Sequence, residues 1–244
     1  MPTETFTTDD GRAVPAVTTA EMREIDRIAV EEVGPELLQM MENAGRTLAS
    51  FARELADGPV VILAGDGGNG GGGLCAARHL ANHTFDVRVA LDRPSAALTG
   101  AAATQYRTLE GTDATLVETD VDAAGITEAG VVVDAVIGYG LAGAPRGRAT
   151  ARIDACNAAA APVLSLDVPS GVDATTGETP GAAVDADHVL TLALPKTGLA
   201  GLAGPVDGAL WLADIGIPRE VFNRAGIDYV QPFAGRSRVR LRTG

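Results

Sequence analysis

The sequence predicts an α/β fold of the Rossmann-like, doubly wound type, in which a mainly parallel sheet lies between two helical layers as a three-layer α/β/α sandwich. Continuous apolar runs rich in β-branched residues, such as 60–64 and 131–133, are typical of strands buried on both faces. These runs alternate with segments whose apolar residues recur at helical spacing. A glycine-rich segment, 65–73, follows the first run. Together these features predict right-handed βαβ units.

Two helices are predicted before the first of these strands. Thr18 to Glu21 has the form of a capping box, in which Thr18 and Glu21 satisfy each other's free backbone amides at a helix start. Apolar residues then recur at helical spacing as far as Ala29. After Gly34 and Pro35, the segment 36–55 continues with a second apolar stripe, which predicts the second helix.

From residue 60 onward the pattern alternates between strand and helix. The predicted strands are 60–64, 87–91, 114–117, 131–137, 163–166, 189–193 and 209–212. The predicted crossover helices are 74–81, 105–109 and 153–161. We expect the last two strands to extend one edge of the sheet.

Composition restricts the domain organisation and the classes of partner. We expect one domain over 15–235, with a flexible leader over 1–14 and a basic tail over 236–244, because 244 residues with 46% hydrophobic content suit one large core. The four alternating arginines of this tail also fit a solvated edge strand. The formal charge of −13 argues against nucleic acid and anionic membranes as partners. The polar, acidic leader and two cysteines without metal-ligand spacing favour a reducing, cytoplasmic location.

The segment 65–73 carries the GxGxxG pattern at Gly65, Gly67 and Gly70, directly after a predicted buried strand. Asp92 stands at the end of the next strand, about where dinucleotide-binding proteins place a ribose-binding acid. Because the segment also opens a helix, whose first amides favour anions, it predicts a phosphate-binding turn. A merely flexible turn is the alternative.

Two aspartates stand at or near other predicted strand ends. Asp134 lies within an apolar run, where a carboxylate is costly to bury without compensation. Asp167 begins a tight turn that also carries Ser170. In an open parallel sheet these turns and the glycine segment could meet in one crevice. Alternatively, Asp167 caps its own turn and Asp134 pairs with an arginine.

A second glycine-rich segment, 138–147, lies between these two acids and is either a loop that covers a ligand or a plain connector. Lys196 is the single lysine of the chain. Either its compact ammonium makes a specific contact, or the residue lies on the surface by chance.

The order of several motifs resembles the YjeF N-terminal domain family, the NAD(P)H-hydrate epimerases, over nearly everything from Thr18 to Pro218. The resemblance depends on the glycine segment together with five further pieces: Met41-Glu42-Asn43-Ala44-Gly45, Ala77-Arg78-His79-Leu80, Val133-Asp134-Ala135 with Gly138 and Gly140, Asp167-Val168-Pro169-Ser170-Gly171 with Pro195-Lys196, and Asp214-Ile215-Gly216-Ile217-Pro218.

The resemblance implies an isomerase that interconverts the R and S forms of NADHX and NADPHX, cofactors damaged by hydration of the nicotinamide ring. It also implies a bound potassium ion, a homodimer, and a separate or fused dehydratase as repair partner. By motif, the ion ligands fall on Asn69, Asp134 and Ser170. The substrate contacts fall on Gly68, Asn69, Gly70, Gly71, Gly72, Gly138, Tyr139, Gly140, Leu141, Ala142, Gly143, Ala144 and Asp167, and we add Lys196.

The predicted reaction is reversible loss and re-addition of the ring hydroxyl, with Asp167 as the catalytic residue that handles the proton and the ring nitrogen supporting a cationic intermediate. Two other hypotheses stay open. Gly68 and Gly72 stand where the family usually has Asn and Asp, which motivates a catalytically degenerate nucleotide-binding or scaffold module. The GxGxxG pattern with Asp92 motivates an NAD-dependent dehydrogenase, although no catalytic His/Arg or Tyr/Lys arrangement accompanies it.

Overall fold

The computed structural model describes residues 5–118, 124–201 and 210–243. Within these ranges ten strands form one sheet: β1 Thr5–Thr8, β2 Ala13–Pro15, β3 Val60–Ala64, β4 Val87–Leu91, β5 Thr115–Val117, β6 Val131–Ala135, β7 Val163–Leu166, β8 His188–Leu192, β9 Leu210–Ala213 and β10 Arg238–Thr243. The α-helices are α1 Thr19–Ile28, α2 Leu37–Leu55, α3 Gly68–Ala81, α4 Gly100–Leu109, α5 Arg148–Ala158 and α6 Arg219–Arg224.

The strand order reverses in the middle of the sheet. Seven parallel strands follow the order β5-β4-β3-β6-β7-β8-β9, and β10, β1 and β2 continue the sheet in antiparallel pairing. The chain therefore proceeds to one side from β3 to β5 and to the other side from β6 to β9. A crevice forms outside the carboxyl ends of β3 and β6, where the two directions diverge. This topology confirms the predicted doubly wound fold.

Helices cover both faces of the parallel strands. Every residue of β3 and of β6 is buried, including Asp134 of β6, as the apolar residues of the two runs predicted. One face packs against α1 to α4, and the opposite face packs against α5 through Ile153 and Cys156. Within the described ranges, none of the helices combines the length and the apolar character that a bilayer crossing requires.

The predicted capping box begins α1. The Glu21 amide donates to Thr18 Oγ1 at 3.3 Å, and the Thr18 amide donates to Glu21 Oε2 at 2.7 Å. This local signal was correct because both partners lie within one turn.

Helix α3 begins at Gly68, six residues earlier than predicted, so most of the glycine segment is helix. A Cβ built on Gly73 would lie 2.6 Å from Ala135 Cβ, and one on Gly71 would lie 2.8 Å from Met41 Cε. Glycine in a helix costs about 1 kcal/mol relative to alanine. Here it lets α3 pack closely against β6 and α2, a tertiary effect that helix propensity cannot reveal.

The predicted leader and tail are wrong for the residues that the structure describes. Thr5–Thr8 and Ala13–Pro15 are strands, and Arg238–Thr243 pairs with both β9 and β1. Val239 and Leu241 of β10 are buried, so alternation places one face of this strand in the core. The prediction of a basic tail was based on the arginines of the other face. Residues 1–4 of the leader, 209 of the last predicted strand and 244 of the tail lie outside the described residues.

Candidate functional site

A cavity of about 490 Å³ opens at the carboxyl ends of the central strands. Its walls come from the turns after β3, β6 and β7 and from one side of α1 and α2. Eight of the predicted site residues line it: Gly68, Asn69, Gly72, Gly138, Tyr139, Gly140, Asp167 and Lys196. The position agrees with the crevice that open parallel sheets use for ligands.

The other predicted site residues do not line this cavity. Leu141, Ala142, Gly143 and Ala144 continue the second glycine segment away from it, and Gly70 and Gly71 point into packed structure. Asp134 and Ser170 lie below the cavity floor and are fully buried. Of the segment 138–147, only the first three residues therefore line the cavity.

The turn after β3 contacts the turn after β6 so closely that it requires glycine. A Cβ built on Gly65 would lie 2.2 Å from the Val136 carbonyl oxygen, and one on Gly70 would lie 1.8 Å from the Gly65 carbonyl oxygen. This contact places the N-terminus of α3 at the cavity, with Gly68 and Asn69 in its wall. Free amides at a helix N-terminus favour anions, as the phosphate-binding prediction requires.

Lys196 and Asp167 form a buried ion pair in the cavity wall. The Lys196 side chain is 1% exposed, and its ammonium also donates to the Leu192 carbonyl at 2.9 Å. The amides of Leu192 and Tyr139 each donate to the Asp167 carboxylate at 3.2 Å. The single lysine thus makes a specific contact, and Asp167 is held by groups from three segments rather than by its own turn. Removing either charge would leave the other buried and uncompensated.

Asp134 accepts four hydrogen bonds and makes no ion pair with the described residues. Ser165 Oγ and the Ser170 amide donate to one carboxylate oxygen at 2.8 and 2.9 Å, and Ser170 Oγ and the Val136 amide donate to the other at 2.5 and 3.2 Å. Burial raises the pKa of Asp134, and the hydrogen bonds from Ser170 oppose this effect. Serines and backbone amides therefore replace the arginine considered from the sequence.

Asn69 faces the same turn from the cavity side. A Cβ built on Gly138 would lie 3.0 Å from Asn69 Oδ1 and 3.3 Å from Asp167 Oδ2. Gly138 therefore lies close to both side chains. Asn69 Nδ2 is buried without a hydrogen-bond partner among the described residues. Ser170 Oγ accepts from the Ile137 amide at 2.8 Å. Asn69, Asp134 and Ser170 thus all adjoin residues 136–138, although of these three side chains only Asn69 lines the cavity.

Asp26 is the main cavity residue that sequence reasoning missed. It projects from α1, and its carboxylate accepts a hydrogen bond from the Tyr139 hydroxyl. Burial raises the pKa of Asp26, whereas the hydrogen bond from Tyr139 opposes the shift. Met22, one helical turn earlier, lines the same cavity. That i, i+4 spacing was visible in the sequence, but nothing local showed which ligand site the helix would face.

Asp92 does not line the cavity. The guanidinium of Arg93 binds it, with Nε 2.9 Å from Asp92 Oδ1, and also pairs with Asp66. Asp92 is therefore engaged in a local ion pair outside the cavity, so one of the two sequence features on which a dehydrogenase was considered is not at the site.

Comparison with known proteins gives a consistent result. Residues 37–198 match the family model described as YjeF-related protein N-terminus. The chain is 48% identical over 244 residues to a protein of Dehalogenimonas lykanthroporepellens named NAD(P)H-hydrate epimerase, covering 97% of this chain and 96% of that one. It is 42% identical to the bifunctional NAD(P)H-hydrate repair enzyme Nnr of Hyperthermus butylicus, covering 84% of this chain and 39% of that longer protein. The crystal structure of yeast ynu0, YNL200c, superposes with a TM-score of 0.81 at 21% identity, over 93% of this chain and all of that chain, which supports the fold.

Proposed function

The chain belongs to the YjeF-related N-terminal family, and on this premise we propose that it is an NAD(P)H-hydrate epimerase that interconverts the R and S forms of NADHX and NADPHX. The observation that carries the proposal is the buried Asp167–Lys196 pair, which presents a positioned carboxylate to the cavity beside the N-terminus of α3. The nearly full-length similarity to a protein named as this epimerase supports it.

The cavity offers what the reaction demands. Epimerisation requires loss of the ring hydroxyl and its return to the same carbon, so a proton must be given to the leaving oxygen and removed from the incoming water. Asp167 is the proposed group for this transfer. Lys196 stabilises its charge, and the Tyr139 and Leu192 amides orient it. Substrate phosphates would bind at the amides of Gly68 and its neighbours.

We also propose that Asn69, Asp134 and Ser170 hold a potassium ion. The residues fit a hard cation because all three supply oxygen, and because Asp134 is a fully buried carboxylate without a cationic partner among the described residues. A bound ion would supply positive charge that keeps Asp134 ionised and the turn at 136–138 ordered.

One observation favours a second candidate, a nucleotide-binding module without catalysis. Gly68 and Gly72 both line the cavity, so the side chains that the family usually carries there would have faced the ligand. On this hypothesis nucleotide binds and stabilises the protein, but the substrate does not turn over.

The partner enzyme, the oligomeric state and the location are also proposals. We propose that a dehydratase on another polypeptide consumes the product, since relatives such as the Hyperthermus enzyme are bifunctional. We propose a homodimer, which size-exclusion chromatography with light scattering can measure. A cytoplasmic location would suit the two free cysteines, Cys75 and Cys156.

The test mixes purified protein with R-NADHX and an S-specific dehydratase and follows consumption of the R form at several potassium concentrations. We expect acceleration above the spontaneous rate, and a loss of about 10²- to 10⁴-fold in Asp167→Asn. Asp92→Asn, which alters an acid outside the cavity, is the matched control and should keep wild-type activity. Nucleotide-dependent thermal stabilisation without any acceleration would reject the epimerase and support the binding module.

A further inference from the structure

Tyr139 connects two carboxylates across the cavity. Its backbone amide donates to Asp167 at 3.2 Å, and its hydroxyl donates to Asp26. Both acids therefore contact the same tyrosine from different elements: Asp167 follows β7, whereas Asp26 belongs to α1. Two carboxylates from different elements of one cavity are also the arrangement of enzymes that act on opposite faces of a ring.

The surroundings of Asp26 are those of a functional group rather than of a surface acid. It lines the cavity, and only one of its carboxylate oxygens has a hydrogen-bond partner in the described part of the chain. The charged groups that act on it from the facing elements are Lys196 and Asp167, and Arg23 of its own helix also lines the cavity. Lys196 Nζ lies 5.7 Å from the Tyr139 ring centroid, so the ammonium, the phenol and both acids form one cluster.

Inversion at a ring carbon creates a geometric demand. The hydroxyl leaves from one face and water returns from the other, so one carboxylate on one side cannot serve both oxygens without reorientation of the substrate. We infer that Asp26 is the second acid–base group of the site and serves the face of the ring opposite Asp167. This inference rests on the proposed epimerase function.

The proton balance closes with these two residues. In one direction protonated Asp26 gives its proton to the ring hydroxyl, the carbon–oxygen bond breaks, and water leaves as the nitrogen lone pair forms a carbon–nitrogen double bond. Asp167 then takes a proton from a second water as its oxygen bonds to the carbon, and the electron pair returns to nitrogen. Asp26 ends ionised and Asp167 protonated, so the reverse turnover starts from that state.

The mechanism requires exactly one proton on the two acids together. Activity should therefore fall at alkaline pH, where Asp26 is ionised and has no proton to give to the leaving oxygen. Burial raises the pKa of Asp26, so this residue retains its proton to higher pH than an ordinary aspartate. The hydrogen bond from Tyr139 lowers that pKa, so removing the phenol hydroxyl should move the alkaline limb to higher pH.

The experiment measures kcat and KM of R-NADHX epimerisation against pH in the wild type, Asp26→Asn and Tyr139→Phe. We expect Asp26→Asn to lower kcat by about 10²- to 10⁴-fold with KM changed less than about threefold, and to lose the alkaline limb. Tyr139→Phe keeps the ring and should shift that limb upward. Glu24→Gln is the matched control, since Glu24 lies on the same helix but pairs with Arg27 on the exposed side.

Each outcome decides the inference. Wild-type kcat in Asp26→Asn would overturn it while leaving the epimerase function intact. A lowered kcat with the alkaline limb unmoved in both variants would also overturn it, because a purely structural role predicts that result. An inactive wild type would reject the proposed function and this inference with it, whereas an active wild type with the predicted shifts supports both.

Discussion

Two glycine-rich segments of this chain look alike in the sequence and differ in the structure. In the first, 65–73, most glycines contact neighbours so closely that a Cβ would not fit. In the second, 138–147, Gly140, Gly143 and Gly147 have no atom within 4 Å of a built Cβ. The first segment is helix α3 and its entry turn, and the second runs from the cavity out to the surface. Glycine content therefore indicates close packing in one place and an open turn in another.

The sharpest test of this difference is Gly70→Ala. A Cβ there would lie 1.8 Å from the Gly65 carbonyl oxygen, a backbone atom that cannot turn aside, so we expect a loss of about 3 kcal/mol or more in the free energy of unfolding. Urea denaturation measures it. Gly140→Ala in the second segment is the control and should stay within about 0.5 kcal/mol. Equal free energies of unfolding for the two variants would contradict the difference between the two segments.

Gly72→Asp should have an intermediate effect. The new Cβ would lie 2.8 Å from Leu166 Cδ2, and because this is the end of a side chain that can move, we expect a cost of about 1–3 kcal/mol. Leu166→Ala combined with Gly72→Asp should cost less than the sum of the single changes, because the larger cavity accepts the new group. Strict additivity would show that the contact does not limit this position.

Asn69→Ala tests whether the first segment also binds the proposed potassium ion. Thermal stability is measured against KCl at constant ionic strength, and we expect the potassium concentration for half-maximal stabilisation to rise roughly tenfold, equivalent to about 1.4 kcal/mol. Asn82→Ala, at the opposite end of α3, should leave that concentration unchanged. An identical potassium response in all three proteins would remove Asn69 from the ion site.

The smallest effect is expected from Gly68→Ala, the one change in α3 that should stabilise the protein. No atom lies within 4 Å of a Cβ built at this first helical position. Alanine restricts the unfolded chain and favours helix, so we expect a gain of about 0.4–1 kcal/mol. A loss of stability in denaturation experiments would show that the N-terminus of α3 is packed as tightly as its interior.

Sequence reasoning succeeded where the signal was local. The capping box at Thr18 and the buried strands 60–64 and 87–91 were located correctly because propensity and periodicity act within a few residues. It failed for the start of α3, since the four consecutive glycines 70–73 have little intrinsic tendency to form helix and are held by packing. It also misplaced 236–244, which was expected to be a basic tail or a solvated edge strand, whereas β10 lies inside the sheet between β9 and β1.

The sequence by itself determined the doubly wound parallel sheet, the alternation of strands and helices between residues 60 and 212, and the rim at which polar residues would collect. Only the tertiary structure decided which of those residues share a cavity. Lys196 pairs with Asp167 across 29 residues, and Tyr139 reaches Asp26 across 113. Contacts over such separations depend on how whole elements pack, and no periodic pattern encodes them. For the same reason Asp134, predicted at the rim, lies beneath the cavity floor, and Asp26 lies in the wall.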